Sequence, residues 1–244
     1  DTVERRLQEA GLVGRVARHK PSYGAEVIRK RLSFARGYGN WTAEQWERVL
    51  FSDEKCFYGA GFCGQVWVRR PPGEALNAEY CVPRKAHPVK VNVWACFCAR
   101  GQGYMYIFSE KLDSNLYKTI LEEYLLPSAK LHYYPAPPRI EQWHLLQDNS
   151  PNHTADKVRT WLHTNGVSCL DFPPYSPDLN PIENLWATLA RAVEKRQCPT
   201  VDALEDAIVQ EWENLDKEHL RTLALSMPTR CAAVIAAHGS HTSY

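Results

Sequence analysis

The sequence predicts an α/β fold, a mixed β-sheet flanked by helices, with a short basic helical arm at its N-terminal end. Three observations predict it. Apolar runs of strand length cluster early, at residues 49–53, 89–99 and 104–108. Strand-like and helix-like segments then alternate, the pattern of helices packed on a sheet. The 244 residues suffice to bury a full core.

Each element has a local cause. Residues 2–11 read as a short helix stopped at Gly11, the favoured residue just past a helix end. Residues 24–37 place Val27, Ile28, Leu32 and Ala35 at helical spacing. Thr42 and Gln45 form the two halves of a capping box for a helix over 43–48. Residues 64–69 predict a further strand, and the Pro-rich residues 70–88 a turn-like segment. A helix is expected over 114–126, then a second apolar run, 143–148. Helix 154–164 stops at Asn165-Gly166, and a short strand covers 167–172. A Pro/Ser/Asp loop, 173–181, leads into helices at 181–196, 201–215 and 217–237.

Charge is unevenly spread. The net charge is +1, but residues 1–40 carry nine Lys/Arg against four acids, and the rest carries 20 against 24. A basic arm on a mildly acidic body suits a phosphate-contacting segment joined to a cation-binding domain. Arg5, Arg6, Arg15, Arg18 and Lys20 are its candidate DNA contacts; a solvated charged helix is the alternative. No apolar run is long enough for a membrane span, and the first residues lack a secretory h-region. The eight cysteines contain no C-x-x-C pair. Free thiols in a reducing compartment, cytosol or nucleus, are expected. Cys96 and Cys98, two apart in a strand, should share a face.

Two apolar runs end in an acid, Leu50-Phe51-Ser52-Asp53-Glu54 and Leu146-Gln147-Asp148-Asn149. A carboxylate beside a core needs a cation, donors or solvent, and two on adjacent strands need a cation more. Hard divalent ions take oxygen ligands. Each Asp alone could equally open a turn. Glu54 should face away from Asp53 and serve as a surface or ion-pair residue. Glu183, in Asn180-Pro181-Ile182-Glu183, sits at N3 of a helix that Asn180 would cap, so local logic makes it a capping-box residue. The buried stripe of that helix should be Ile182, Leu185, Trp186, Leu189 and Val193.

The wording of three segments goes further. Val49-Leu50-Phe51-Ser52-Asp53-Glu54, Gln147-Asp148-Asn149-Ser150-Pro151-Asn152-His153 and Tyr175-Ser176-Pro177-Asp178-Leu179-Asn180-Pro181-Ile182-Glu183-Asn184-Leu185-Trp186 resemble the DDE signature of mariner-superfamily transposases of the Tc type. Thirty-four residues separate Asp148 from Glu183, the spacing of the Tc branch. The resemblance implies a ribonuclease-H-like fold over residues 41–244, with 1–40 as the arm that ends a helix-turn-helix region. It implies that Asp53, Asp148 and Glu183 hold two Mg²⁺ (or Mn²⁺) ions, and that Asn149 and His153 support them. It implies cleavage of double-stranded DNA at transposon terminal repeats and 3′-OH strand transfer into a TA target, by a homodimer acting in the nucleus, or in the cytosol of a prokaryote. Residues 70–88 fall where relatives carry a clamp loop. The sequence departs from the family at Lys85-Ala86-His87-Pro88 and at residues 238–244, where relatives often carry Gly-Gly. Other readings are a domesticated or decayed transposase acting as a DNA-binding or assembly module, and a nuclease acting on RNA–DNA hybrids.

Overall fold

The computed structural model describes residues 2–11, 23–60, 68–81, 89–134 and 142–244. Five strands form one sheet: β1 (Val49–Tyr58), β2 (Lys90–Cys98), β3 (Gly101–Phe108), β4 (His144–Leu146) and β5 (Ser168–Cys169), in the order β3-β2-β1-β4-β5. β1 and β2, and β2 and β3, run antiparallel; β4 runs parallel to both β1 and β5. The mixed sheet expected from the sequence is therefore present.

Helices cover both faces. One layer contains α2 (Ala25–Tyr38), α7 (Ile182–Lys195), α8 (Val201–Glu213), α9 (Lys217–Ala224) and α10 (Met227–Ala236). It packs on the sheet face that presents Phe51, Val93, Ala95, Phe97 and Leu146. The other contains α4 (Ser114–Ile120), α5 (Leu126–Tyr133) and α6 (Asp156–Thr164), against Leu50, Trp94, Cys96, Cys98 and Leu145. The alternation along β1 and β2 thus feeds two separate cores, and Cys96 and Cys98 share a face. Two further short helices are α1 (Thr2–Glu9) and α3 (Ala43–Trp46), and single 3-10 turns lie at Ala78–Tyr80 and Pro177–Leu179. The Thr42–Gln45 capping box forms in full.

Several boundaries differ from the sequence reading for non-local reasons. The strand read as ending at Asp53 continues to Tyr58, because β2 pairs with it residue by residue as far as Tyr58↔Lys90. The helix read as 114–126 runs on through a π-helical turn, Leu121–Leu125, which accommodates Pro127 at the start of α5. The helix read as 217–237 is two, and Pro228 sits in the first turn of the second, where its missing N–H leaves no bond unmade. Only Ser168 and Cys169 of the run 167–172 enter the ladder. Val68 and Arg69 are irregular, and the rest of the strand read over 64–69 lies outside the described residues. So do Arg15, Arg18, Lys20 and residues 85–88.

The segment before α7 is fastened from two sides. Arg31 of α2 is wholly buried, and its guanidinium donates to both carboxylate oxygens of Asp178. Arg31 also donates to the carbonyls of Gly239 and Ser240, and Thr242 donates to Asp178. Gly239 has φ +81°, and a Cβ there would stand 2.8 Å from the Ile28 carbonyl oxygen, so the closing segment lies directly on α2. Arg230 of α10 donates to the Asp178 carbonyl and to Asn184 Oδ1.

Candidate active site

The sheet register brings two of the acids together. Phe51 and Leu146 are partners on the parallel strands β1 and β4. Asp53 and Asp148 each follow two residues later, so both emerge at one level on neighbouring chain segments. Glu183 arrives from the first turn of α7, which packs on β1. All three line one cleft of about 390 Å³, with Asn149, Ser150 and Tyr175 on its walls. All five residues of the predicted α7 stripe are buried.

A polar tie sets the position of α7. The Asn180 side-chain amide donates to the Ser52 carbonyl (3.1 Å), and its oxygen accepts from the Ile182 N–H (3.3 Å). One buried side chain therefore caps α7 and docks that cap on β1 beside Asp53. The capping box read from the sequence does not close, because the Asn180 N–H donates to the Pro177 carbonyl instead. That leaves the Glu183 carboxylate free of capping duty. Among the described residues it accepts no hydrogen bond, and it faces the cleft.

The three carboxyls sit in different electrostatic settings. Burial, then the charges of Glu183, Glu54 and Asp148, push Asp53 up to about 8. Its one side-chain donor among the described residues is the Trp186 indole N–H, 3.2 Å from Oδ2. Burial also raises Glu183, opposed by the Lys55 charge and assisted by Asp148. Burial pushes Asp148 upward too, but hydrogen bonds from His153 and the Ser150 N–H prevail and hold it below its usual range.

His153 is buried and stacks on Tyr117, with ring centroids 3.9 Å apart. Its Nδ1 lies 2.7 Å from Asp148 Oδ1 and its Nε2 3.1 Å from Glu54 Oε1. Burial alone would lower the imidazole; the two carboxylates outweigh it and push it up to about 10. Glu54 thus points to the opposite face of the sheet from Asp53 and is an ion-pair residue. Its partner, 99 positions away, carries no signal in the local sequence. Asn149 donates to the Phe172 carbonyl and lines the cleft. Arg5 pairs with Glu9 on α1, whose residues are all exposed; Arg6 lies on the same helix.

The donor set suits a hard divalent cation. It is all oxygen, and the mutual repulsion that raises Asp53 is what a cation relieves. Among the described residues no three His, Cys, Asp or Glu side chains converge tightly enough to hold one ion alone. Ions such as Mg²⁺ take one or two carboxylates and complete their shell with water and phosphate, so pairs of these acids are sufficient.

Comparison with known proteins gives the family. Residues 48–205 match the family model described as DDE superfamily endonuclease. The chain is 35% identical over 244 residues to the Tc1 transposable-element transposase of Caenorhabditis elegans, covering all of this chain and 87% of that one. It is 30% identical over 245 residues to the Tc3 transposase of the same organism, covering 98% of this chain and 70% of that one. The structure resembles the Mos1 transposase paired-end complex with left transposon end at TM-score 0.83 and 21% identity, over 99% of this chain and 71% of that one. It resembles the catalytic domain of Mos1 mariner transposase at TM-score 0.73 and 18% identity, over 93% of this chain and all of that one. These likenesses give the ribonuclease-H-like fold. With a family match spanning residues 48–205 and a relative 35% identical over all 244 residues of this chain, the chain belongs to the DDE superfamily of endonucleases, among the Tc-type transposases.

Proposed function

We propose that this chain is the catalytic unit of a cut-and-paste DNA transposase in which Asp53, Asp148 and Glu183 hold two divalent ions, Mg²⁺ or Mn²⁺. The observation that carries the reading is the half-buried Asp53 carboxyl, crowded by the charges of Glu183, Glu54 and Asp148 at the head of one open cleft. Bound divalent ions supply Lewis acidity, favouring the deprotonated nucleophile and neutralising charge at the leaving 3′ oxygen.

The chain's own residues place those acids. Asp53 would be one of the acids that hold the ions, its carboxylate oriented by the Trp186 N–H. Asp148 is aimed by His153, which Tyr117 and Glu54 hold in turn. Glu183 is delivered by the Asn180 tie to β1. The protein contributes position and charge, with no covalent enzyme intermediate. The nucleophile is water at the transposon end and then the freed 3′-OH at a TA target. Arg5, Arg6, Arg15, Arg18 and Lys20 of the arm would hold double-stranded DNA, and the working species is a homodimer in the nucleus. Relatives support the DNA substrate and the pairing: one neighbour is a Mos1 paired-end complex with transposon end and another a Mos1 strand transfer complex.

Asp148→Ala should abolish Mg²⁺-dependent cleavage of a terminal-repeat duplex while DNA binding is kept. Normal cutting by that variant would remove Asp148 from the machinery. A wild-type chain that binds DNA but never cuts would indicate the domesticated, non-catalytic reading.

A further inference from the structure

A second groove lies against the acid cleft and carries the opposite charge. It encloses about 370 Å³ and is lined by Arg29, Lys30 and Ser33 of α2. Its far wall is Asn149, Phe172 and Pro174, and the same three residues line the acid cleft. The two hollows therefore share one wall, and a chain leaving the acids crosses it directly onto α2.

The groove is a fixed surface. Arg31, one position on, turns inward to Asp178, and that buried bidentate pair locks the rotation of α2. Arg29, Lys30 and Ser33 are consequently exposed. Lys30 reaches Glu26 at 3.1 Å, and Arg29 forms no salt bridge among the described residues. Ser33 follows Arg29 by one helical turn, so hydroxyl and guanidinium share a face. Asp171 is the acid on the groove's wall.

We propose that this groove holds the phosphate backbone of the DNA strand whose reacting phosphate lies among Asp53, Asp148 and Glu183. Arg29 and Lys30 each meet a phosphate, and the Ser33 hydroxyl donates to one. Contacts of this kind set register and carry no sequence information. The inference rests on the DNA-cutting reading and adds a sequence-independent foothold next to the chemistry, beyond the contacts proposed for Arg5, Arg6, Arg15, Arg18 and Lys20.

The test is the salt dependence of binding to a duplex oligonucleotide, read by fluorescence anisotropy without divalent metal. Each phosphate contact contributes about 0.9 to the slope of log affinity against log salt. The double variant Arg29→Gln, Lys30→Gln should lower that slope by about 2 and weaken binding equally on unrelated sequences. Asp171→Asn should tighten binding. Arg36→Gln removes a charge from the same helix outside the groove, and salt screens its effect beyond about 8 Å. A double variant with the slope of Arg36→Gln overturns the proposal. Wild-type cleavage with Mg²⁺ is assayed in parallel. A reduced slope with no wild-type cleavage leaves the groove standing as a DNA surface and removes the catalytic reading. Wild-type cleavage with an unchanged slope removes the groove alone.

Discussion

Arg31 and Asp178, 147 positions apart, meet in a buried two-point salt bridge, Nη1 to Oδ1 at 2.8 Å and Nη2 to Oδ2 at 2.7 Å. It joins an N-terminal helix to the turn that launches the helix bearing Glu183. Removing one partner leaves an uncompensated charge in the interior. Arg31→Ala should cost about 3–5 kcal/mol in denaturant unfolding. A loss below about 1 kcal/mol would show that water reaches the pair.

The same pair predicts acid sensitivity. Burial pushes the Asp178 carboxyl upward, but the hydrogen bonds and charge of Arg31, with Thr242, hold it below its usual range. A carboxylate depressed in the folded state stabilises fully above its unfolded pKa, about 3.9, and loses that contribution as pH falls through the folded value. Stability should therefore drop below about pH 4, and Asp178→Asn should flatten that part of the curve. An unchanged acid limb in the variant would contradict this assignment.

Asp53 predicts the reverse dependence. Its carboxyl, raised to about 8 by burial and by neighbouring acids, favours the protonated folded state. Its contribution is complete below the unfolded value and is lost as pH climbs toward 8. The metal-free melting temperature should fall across that interval, and Mg²⁺ or Mn²⁺ should restore it. Metal affinity should rise with pH over the same range, because the ion displaces the proton. Isothermal titration at several pH values, on wild type and Asp53→Asn, checks both.

His153 acts through Asp148. His153→Ala should reduce cleavage or metal affinity by about 10–100-fold, the usual effect of losing a residue that orients a ligand. Glu54→Gln keeps an acceptor for Nε2 and should be milder. Titrating cleavage rate against Mg²⁺ for both variants distinguishes them. Equal losses would mean that the Glu54 charge, rather than its hydrogen bond, controls the site.

Trp186 donates the one side-chain hydrogen bond that reaches Asp53 among the described residues. Trp186→Phe keeps much of the packing against Phe57 and Trp212 while deleting the donor. Cleavage should fall by more than stability does. Matching losses in chemical unfolding and single-turnover rate would reduce Trp186 to a core residue.

What the sequence made legible was what is local. The Thr42–Gln45 box, the buried face of α7 and the alternation of β2 all follow from neighbours within a few positions. The grouping of Asp53, Asp148 and Glu183 comes from the resemblance of their surrounding motifs; periodicity alone leaves Asp53 at a turn and Glu183 at a cap, and the structure places all three on one cleft. What stayed hidden depends on partners far along the chain. In the sequence Arg31 is only one of the nine Lys/Arg of residues 1–40, yet it is wholly buried, paired with Asp178. Glu54 reads as a surface or ion-pair residue; the structure makes it an ion-pair residue, and nothing near it in the sequence names His153. Asn180 was seen as a cap, and its hold on Ser52 needed β1 in place.

Asp53 and Glu54 are adjacent, yet they look into different halves of the molecule. One answers to Trp186 on the α7 side and the other to His153 on the α4 and α6 side. The aim of the acids consequently depends on both helical layers at once. Until both helical layers have closed on the sheet, at least one acid is misaimed.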